Sequence, residues 1–325
     1  MEIRGPKLVV YRDDRRTHGP VLVSALRPRD RFIGVNPQRE THCRYDIRMT
    51  RRQFLPALAA PLLAQETKPV YRKGKLKQAV CNSVFGRNMP LEDRCHHAAK
   101  LGVYGIDLIG PKEWPVLKKY GLIPTMVPGC GTIPEGFNKV EHHARFEPIA
   151  HELIDQCAAA GAPNMIGLTG ERRGQDPRKG LDNCVTFLNK IKSHLEDKGI
   201  TIAVEYLNSK VNHKDYDFDH MAYGVEMCKR VNSPRVKILY DMYHVQIMEG
   251  DIIRMMRDNI QHIGHFHTAG NPGRHEMDDT QEMNYKGIAR AIADTGYQGF
   301  ISHEYSPLRD PLQSLEETLR LFDVV

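Results

Sequence analysis

The sequence predicts an α/β fold, a (β/α)8 barrel of the TIM type, and two observations carry that expectation. From Lys77 onward, short apolar β-type runs alternate with helical patterns eight times over. The last four runs each end on a side chain that can bind a metal. Residues 201–204 (TIAV) run into Glu205, and 236–240 (VKILY) run into Asp241. Residues 263–266 (IGHF) run into His267, and 299–303 (GFISH) run into Glu304. In a parallel barrel the strand ends share one face, where the active sites of that architecture sit.

Residues 1–48 show no sustained periodicity and are rich in Arg, Pro and Asp, so little fixed structure is expected there. Residues 49–65 join a positive start (MTRRQFL) to a short apolar core and a small residue at Ala64, which describes an export leader. The Thr-Arg-Arg-x-Phe-Leu order is similar to the twin-arginine type, which implies a periplasmic or other extracytoplasmic location. A leader that does not function would leave the protein cytoplasmic, and the bland alternative is an amphipathic helix packed on the domain. Translation starting at Met49 would make residues 1–48 an upstream mis-extension. Residues 66–76 then read as a basic, solvated linker, and 77–325 as the barrel, close to the ~250 residues typical of that fold.

Within the barrel, 77–84 is the expected first strand, followed by a helix over 91–101 closed by Gly102. A second strand over 105–109 leads to a short helix over 113–120 that stops at Gly121. A third strand over 122–127 opens into a Gly/Pro-rich loop, 128–137, long enough to fold over a site. A helix over 140–160, a fourth strand over 164–168 and a long helix over 176–198 follow, the helices ending at Gly161 and Gly199. The four ligand-bearing strands come next, separated by helices over 218–231, 252–260 and 285–295. A last helix covers 312–322. No G-x-G-x-x-G follows the first strand and no G-x-x-x-x-G-K-[ST] is present, which disfavours an open nucleotide-binding sheet.

Composition narrows the function. The net charge of +6 is misleading, because residues 1–52 carry +7 and the remainder −1. The near-neutral barrel gives no support for a nucleic-acid partner. Seven cysteines show neither C-x-x-C pairs nor zinc spacing, so buried free thiols are expected. No apolar run reaches the ~18 residues that span a bilayer. The partner expected is a small-molecule substrate, and a homo-oligomer is compatible with the chain.

Three carboxylates and one imidazole form an oxygen-rich ligand set suited to Mg2+, Mn2+ or Co2+. Such a cation polarises a carbonyl and stabilises the enediolate left when the neighbouring carbon loses its proton. Glu205 and Glu304 stand at opposite ends of the ligand arc, so one can take the proton and the other return it.

Several stretches carry a resemblance: IAVEYLN at 202–208, the D-x-Y-H-x-Q-x-x-E-G string from Asp241, IGHFHTAGNPGR at 263–274, EMNY at 282–285 and HEY at 303–305. Together they resemble the hydroxypyruvate isomerase family of the xylose-isomerase-like barrels. Ketose 3-epimerases and endonuclease IV-type repair enzymes share that superfamily. The resemblance implies metal ligation by Glu205, Asp241, His267 and Glu304, acid–base work by the two glutamates, and substrate contact by His244 and Arg274. It implies isomerisation of hydroxypyruvate to tartronate semialdehyde, with a ketose 3-epimerase or other sugar isomerase as the alternative. A sugar-binding barrel without turnover and a DNA repair enzyme fit less well. Two positions depart from pattern: His267 stands where those isomerases often carry Gln, and Val211 where the epimerases carry a second Glu.

Other polar residues are expected to be peripheral. His96-His97 and His142-His143 read as outer-face helix residues. Arg172-Arg173 and Arg178-Lys179 read as loop cations open to an acidic substrate or to solvent. His265 shares the parity of His267, which suggests support from behind it. Trp114 reads either as a pocket wall or as packing at a helix start.

Overall fold

The computed structural model describes residues 72–325. The leader over 49–65 and the stretch 1–48 lie outside the described residues, as does the linker up to residue 71. The described strands are β1 (Lys77–Cys81), β2 (Ile106–Asp107), β3 (Asn164–Gly167), β4 (Thr201–Glu205), β5 (Val236–Asp241), β6 (Ile263–Thr268) and β7 (Phe300–His303). All their pairings are parallel, in the order β2-β1-β7-β6-β5-β4-β3. First and last strands are therefore neighbours, an arrangement that a TIM-barrel-like sheet requires.

The expected eight strands become seven among the described residues. Residues 122–127, expected as the third strand, make only isolated parallel bridges, Gly105↔Ile123 on one side and Val127↔Met165 on the other. Pro124 supplies the reason, because it has no N–H for the ladder and confines the segment to irregular pairing. Backbone bonds still reach both neighbours: Ile106 N–H donates to Ile123 O at 3.1 Å, and Ile166 N–H to Val127 O at 3.0 Å. Two glycines permit that approach. A Cβ on Gly105 would sit 1.9 Å from Ile123 O, and one on Gly129 would sit 1.7 Å from Ile166 O.

Nine α-helices surround the sheet among the described residues, one more than expected: α1 (Leu91–Lys100), α2 (Trp114–Lys119), α3 (Val140–Ala160), α4 (Pro177–Lys198), α5 (Met221–Val231), α6 (Met242–Met248), α7 (Ile252–Asn259), α8 (Tyr285–Asp294) and α9 (Pro311–Phe322). Eight fall where the helical spacing places them. The extra one, α6, starts directly after Asp241, whose Oδ1 accepts from Tyr243 N–H at 2.9 Å. With no Gly or Pro between strand and helix, the sequence offers no boundary to read. Both long helices stop at glycines in the left-handed region, Gly161 (φ 73°) and Gly199 (φ 71°). None of the described helices is long and apolar enough to cross a membrane.

Strand parity builds the floor of the site. Ala203 and Leu239, two residues before Glu205 and Asp241, are fully buried and cluster with Met126 and Ile166. His265 and Ser302 occupy the same level, two residues before His267 and Glu304, and are also fully buried. The four strand-end side chains thus stand on a packed layer. The six described cysteines are free and buried, as expected.

Close backbone contact at Gly129 yields a stability prediction. Gly129→Ala is expected to cost at least ~2 kcal/mol and lower Tm by about 4–8 °C, whereas Gly110→Ala, which meets nothing within 4 Å, is expected to change little. Calorimetry on both variants checks this; equal melting temperatures would contradict it.

Candidate metal centre and active site

Glu205 ends β4, Asp241 ends β5, His267 lies near the end of β6, and Glu304 follows β7. Glu304 is fixed across the sheet by its N–H donating to Thr268 O at 2.8 Å. The four side chains offer ligand atoms that all lie within 4.8 Å of one another. Two atoms bound to one cation at ~2.0–2.6 Å can be no more than roughly 4–5 Å apart, so the set fits a single divalent ion. Asp241 and His267 are fully buried, and Glu205 is 6% exposed.

Orphaned atoms test the fit. His267 Nδ1 lies 2.7 Å from Glu304 Oε2 and 3.7 Å from Glu205 Oε1. Yet the buried Nδ1 makes no hydrogen bond, and the buried Oε2 has only charge pairs, with Arg274 and His267. Buried polar atoms without partners are costly. Here they converge on one point, which is what a shared cation would satisfy. Three carboxylates with one imidazole suit a hard divalent ion, and no ligand geometry beyond this convergence is needed for that assignment.

Behind His267 stands a residue whose role the sequence reading missed. Asp107, at the end of β2, accepts from His267 Nε2 at 3.2 Å and from His265 Nε2 at 2.8 Å through the same Oδ2. Its Oδ1 accepts from the Thr125 hydroxyl. A carboxylate on one ring nitrogen fixes the imidazole and leaves the other nitrogen facing Glu205 and Glu304. Cys81 completes the rear of the site, with Sγ 3.7 Å from His267 Nε2 and 3.6 Å from the Ser302 hydroxyl. Cys81, Asp107 and His267 form a second buried cluster of potential ligands, sharing its imidazole with the first. The signal for Asp107 was a lone acid inside the apolar run 105–109, and only the structure ends β2 on it. His265 takes the supporting place its parity suggested.

The two remaining candidates also reach the site. His244 is fully buried, and its Nδ1 accepts from the Asn208 N–H at 3.2 Å. That backbone donor places the ring proton on Nε2, which lies 3.5 Å from Asp241 Oδ2 and has no hydrogen bond. Burial, reinforced by Arg274 and His213, holds His244 well below the usual histidine range, so it is a neutral donor. Arg274 Nη2 lies 2.8 Å from Glu304 Oε2 and 3.2 Å from Asp241 Oδ2. Its backbone is in the left-handed region (φ 60°), as is that of Leu108 (φ 62°) beside Asp107. Such conformations cluster at functional sites.

Above the ligands lies a cavity of about 330 Å3, lined by Glu205, Glu304, Arg274 and His213 on its polar side. Apolar lining comes from Leu108, Ile166, Leu168 and Leu207, and from Pro128 and Ile133 of the 128–137 loop. That loop covers the site as expected. It is braced by His142 and His143, whose ring nitrogens bond Gly136 O and Phe137 O at 2.8 and 2.9 Å. His143 is therefore buried rather than on the outer face. Arg172 is likewise committed to structure, pairing with Asp219 at 2.7 Å and Asp217 at 3.3 Å. Trp114 packs a helix start, its Nε1 donating to Ile109 O at 2.8 Å.

Electrostatics follow from burial and crowding. Burial raises Asp241 to about 7, with Glu304 adding to the shift and Arg274 opposing it. Burial, together with Glu304, also raises Glu205. Burial works against the Glu304 anion, but Arg274 and His267 outweigh it and hold the group at about 2. Burial likewise opposes charge on His267, yet its neighbours raise it well above the ordinary range. Burial pushes the Cys81 thiol up to about 12, so it stays neutral, and the carboxylates of Glu304 and Asp107 are what favour the imidazolium.

Fold and site together define an isomerase-type barrel with a buried divalent-metal cluster. The family described as "Xylose isomerase-like TIM barrel" matches residues 115–323, and the chain belongs to it. Among its relatives, the 2-oxo-tetronate isomerase of Pectobacterium atrosepticum is 27% identical over 241 residues, covering 69% of this chain and 90% of that protein. A Danio rerio protein provisionally named a hydroxypyruvate isomerase is 33% identical over 125 residues, 38% of this chain, and is matched over only 45% of its own length. Among solved structures, an AP endonuclease of family 2 from Brucella melitensis superposes with a TM-score of 0.68 at 25% identity, over 74% of this chain and 97% of that one. A D-psicose 3-epimerase superposes with a TM-score of 0.62 at 18% identity, over 76% and 100%, a likeness of fold alone.

Metal affinity is the direct readout of this geometry. Asp107→Asn is expected to weaken Mn2+ binding by about 10- to 100-fold while the fold persists. In the unsubstituted chain, affinity is expected to rise from pH 6 to pH 8, because Asp241 (about 7) and His267 must shed protons to ligate. Calorimetric Mn2+ titration checks both; unchanged affinity in the variant, or across that pH range, would contradict them.

Proposed function

We propose that this protein is a divalent-metal-dependent isomerase or epimerase that moves a proton on the carbon beside the carbonyl of a small sugar-like compound. The observation that carries this reading is the convergence of Glu205, Asp241, His267 and Glu304 at the polar end of an otherwise apolar cavity. With Mn2+, Mg2+ or Co2+ bound, the cation supplies polarisation of the substrate carbonyl and charge stabilisation beside it. Glu205 and Glu304, on opposite sides of His267, remove and return the proton. His244 donates its Nε2–H to a substrate oxygen. Arg274, already seated between Asp241 and Glu304, binds substrate oxygens at the mouth.

A sugar-sized substrate, a ketose or a keto sugar acid, is favoured over the three-carbon hydroxypyruvate. The cavity of about 330 Å3 runs past the ligand set to His213 and the 128–137 loop, which leaves room for a chain longer than three carbons. The imidazole at 267 is also the epimerase-type choice. Hydroxypyruvate to tartronate semialdehyde is the second reading, favoured by the likeness to the Danio rerio protein. We further read the sheet as a ring completed by 122–127, supported by its bridges to both edges. Export by the 49–65 leader, with 77–325 as the single catalytic domain, completes the reading; N-terminal sequencing of the native protein tests it, and a chain beginning at residue 1 would contradict it.

The reaction itself is tested by proton exchange. The Mn2+-loaded protein is incubated in D2O with ketoses, four-carbon keto sugar acids and hydroxypyruvate, and deuterium incorporation is followed by NMR. Exchange is expected beside the carbonyl of at least one sugar-sized compound. Glu205→Gln and Glu304→Gln are each expected to slow it by about 10^2- to 10^4-fold. No exchange with any of the compounds would contradict the proposal.

A further inference from the structure

Among the polar side chains lining the cavity, three already have their work. Glu205 and Glu304 belong to the ligand set, and Arg274 is tied to Asp241 and Glu304. The fourth, His213, has none. Its Nε2 is buried and makes no hydrogen bond. A buried, unpartnered ring nitrogen on a cavity wall is costly unless a ligand satisfies it.

The backbone that carries the ring is fixed at both ends. His213 N–H donates to Asn208 O at 3.0 Å, and its carbonyl accepts from Tyr216 N–H at 3.0 Å. Asn208 is fully buried and also bonds the His244 ring, so one residue anchors both that ring and the backbone of His213. The two imidazoles lie 5.2 Å apart, centre to centre, tilted by 55°. They are therefore placed to meet oxygens on nearby carbons of one substrate. Burial and the cation of Arg274 lower His213 below the usual histidine range, leaving a neutral ring that both donates and accepts. Val211, two residues earlier, is 68% exposed and takes no part in the cavity wall.

We propose that His213 is a specificity-determining residue whose Nε2 hydrogen bonds a substrate oxygen on a carbon beyond the pair held at the metal. Compounds of four or more carbons with an oxygen there would then be favoured over three-carbon ones. This rests on the isomerase or epimerase reading, and the test separates the two.

The full chain with Mn2+ is assayed as isolated, as His213→Leu and as His213→Gln, with hydroxypyruvate and its four-carbon homologue bearing one more hydroxyl. In parallel, glycerol and erythritol are titrated into the Mn2+-loaded protein, and binding is read from water proton relaxation. The four- over three-carbon preference is expected to fall about three- to tenfold in His213→Leu in both assays, the size of one neutral hydrogen bond. His213→Gln is expected to restore part of it. An unchanged preference in His213→Leu, a His213→Gln preference no better than that of His213→Leu, equal losses for both lengths, or no erythritol binding would overturn the inference. If nothing turns over, the catalytic reading fails and the polyol titration alone decides the role of His213.

Discussion

The site depends on one imidazole held from both sides. His267 presents Nε2 to Asp107 and Nδ1 to Glu205 and Glu304, so its two nitrogens belong to different environments. Asp107 supplies an acceptor that no solvent reaches, and Thr125 and His265 in turn hold Asp107 in place. The rear bonds keep the ring from turning toward the core. The front nitrogen is left with carboxylates it does not bond. Such an arrangement stores unfavourable electrostatics until a cation arrives, because three acids and a buried imidazole crowd one point.

The rest of the barrel serves that arrangement. Parallel strands deliver ligands at the same height, and the period-two alternation places a packed residue beneath each one. Ala203, Leu239, His265 and Ser302 are all fully buried, so the ligands cannot sink. Asp241 does two jobs: one oxygen caps α6 through Tyr243, and the other faces Arg274 and His244. Helix α6 therefore starts where the ligand ends, and His244 is carried one turn away on its buried side. Arg274 offsets part of the negative charge at the cavity mouth.

Much of this was legible in the sequence, for a physical reason. Buried parallel strands read as apolar runs, and a charged residue that ends such a run is conspicuous. The four strand-end residues were read that way, and eight of the helices from their spacing and glycine stops. The third strand failed because Pro124 breaks its ladder, although the apolar pattern of 122–127 looks like its neighbours. Asp107 sits inside the apolar run 105–109 rather than at its end, and its partner lies 160 residues away in the chain. Nothing local marks Asn208 or His213, because their roles arise from distances that only folding creates. His143 was misjudged for the same reason, since its partner is the backbone of a loop whose path spacing does not predict.

The most direct measurement of the central claim is pulsed electron paramagnetic resonance of Mn2+ bound to the full chain. One ion per chain, coupled to a single directly bonded imidazole nitrogen that vanishes in His267→Ala, is the result this account predicts. An ion with no coupled nitrogen, or one whose nitrogen signal survives the loss of His267, would contradict it.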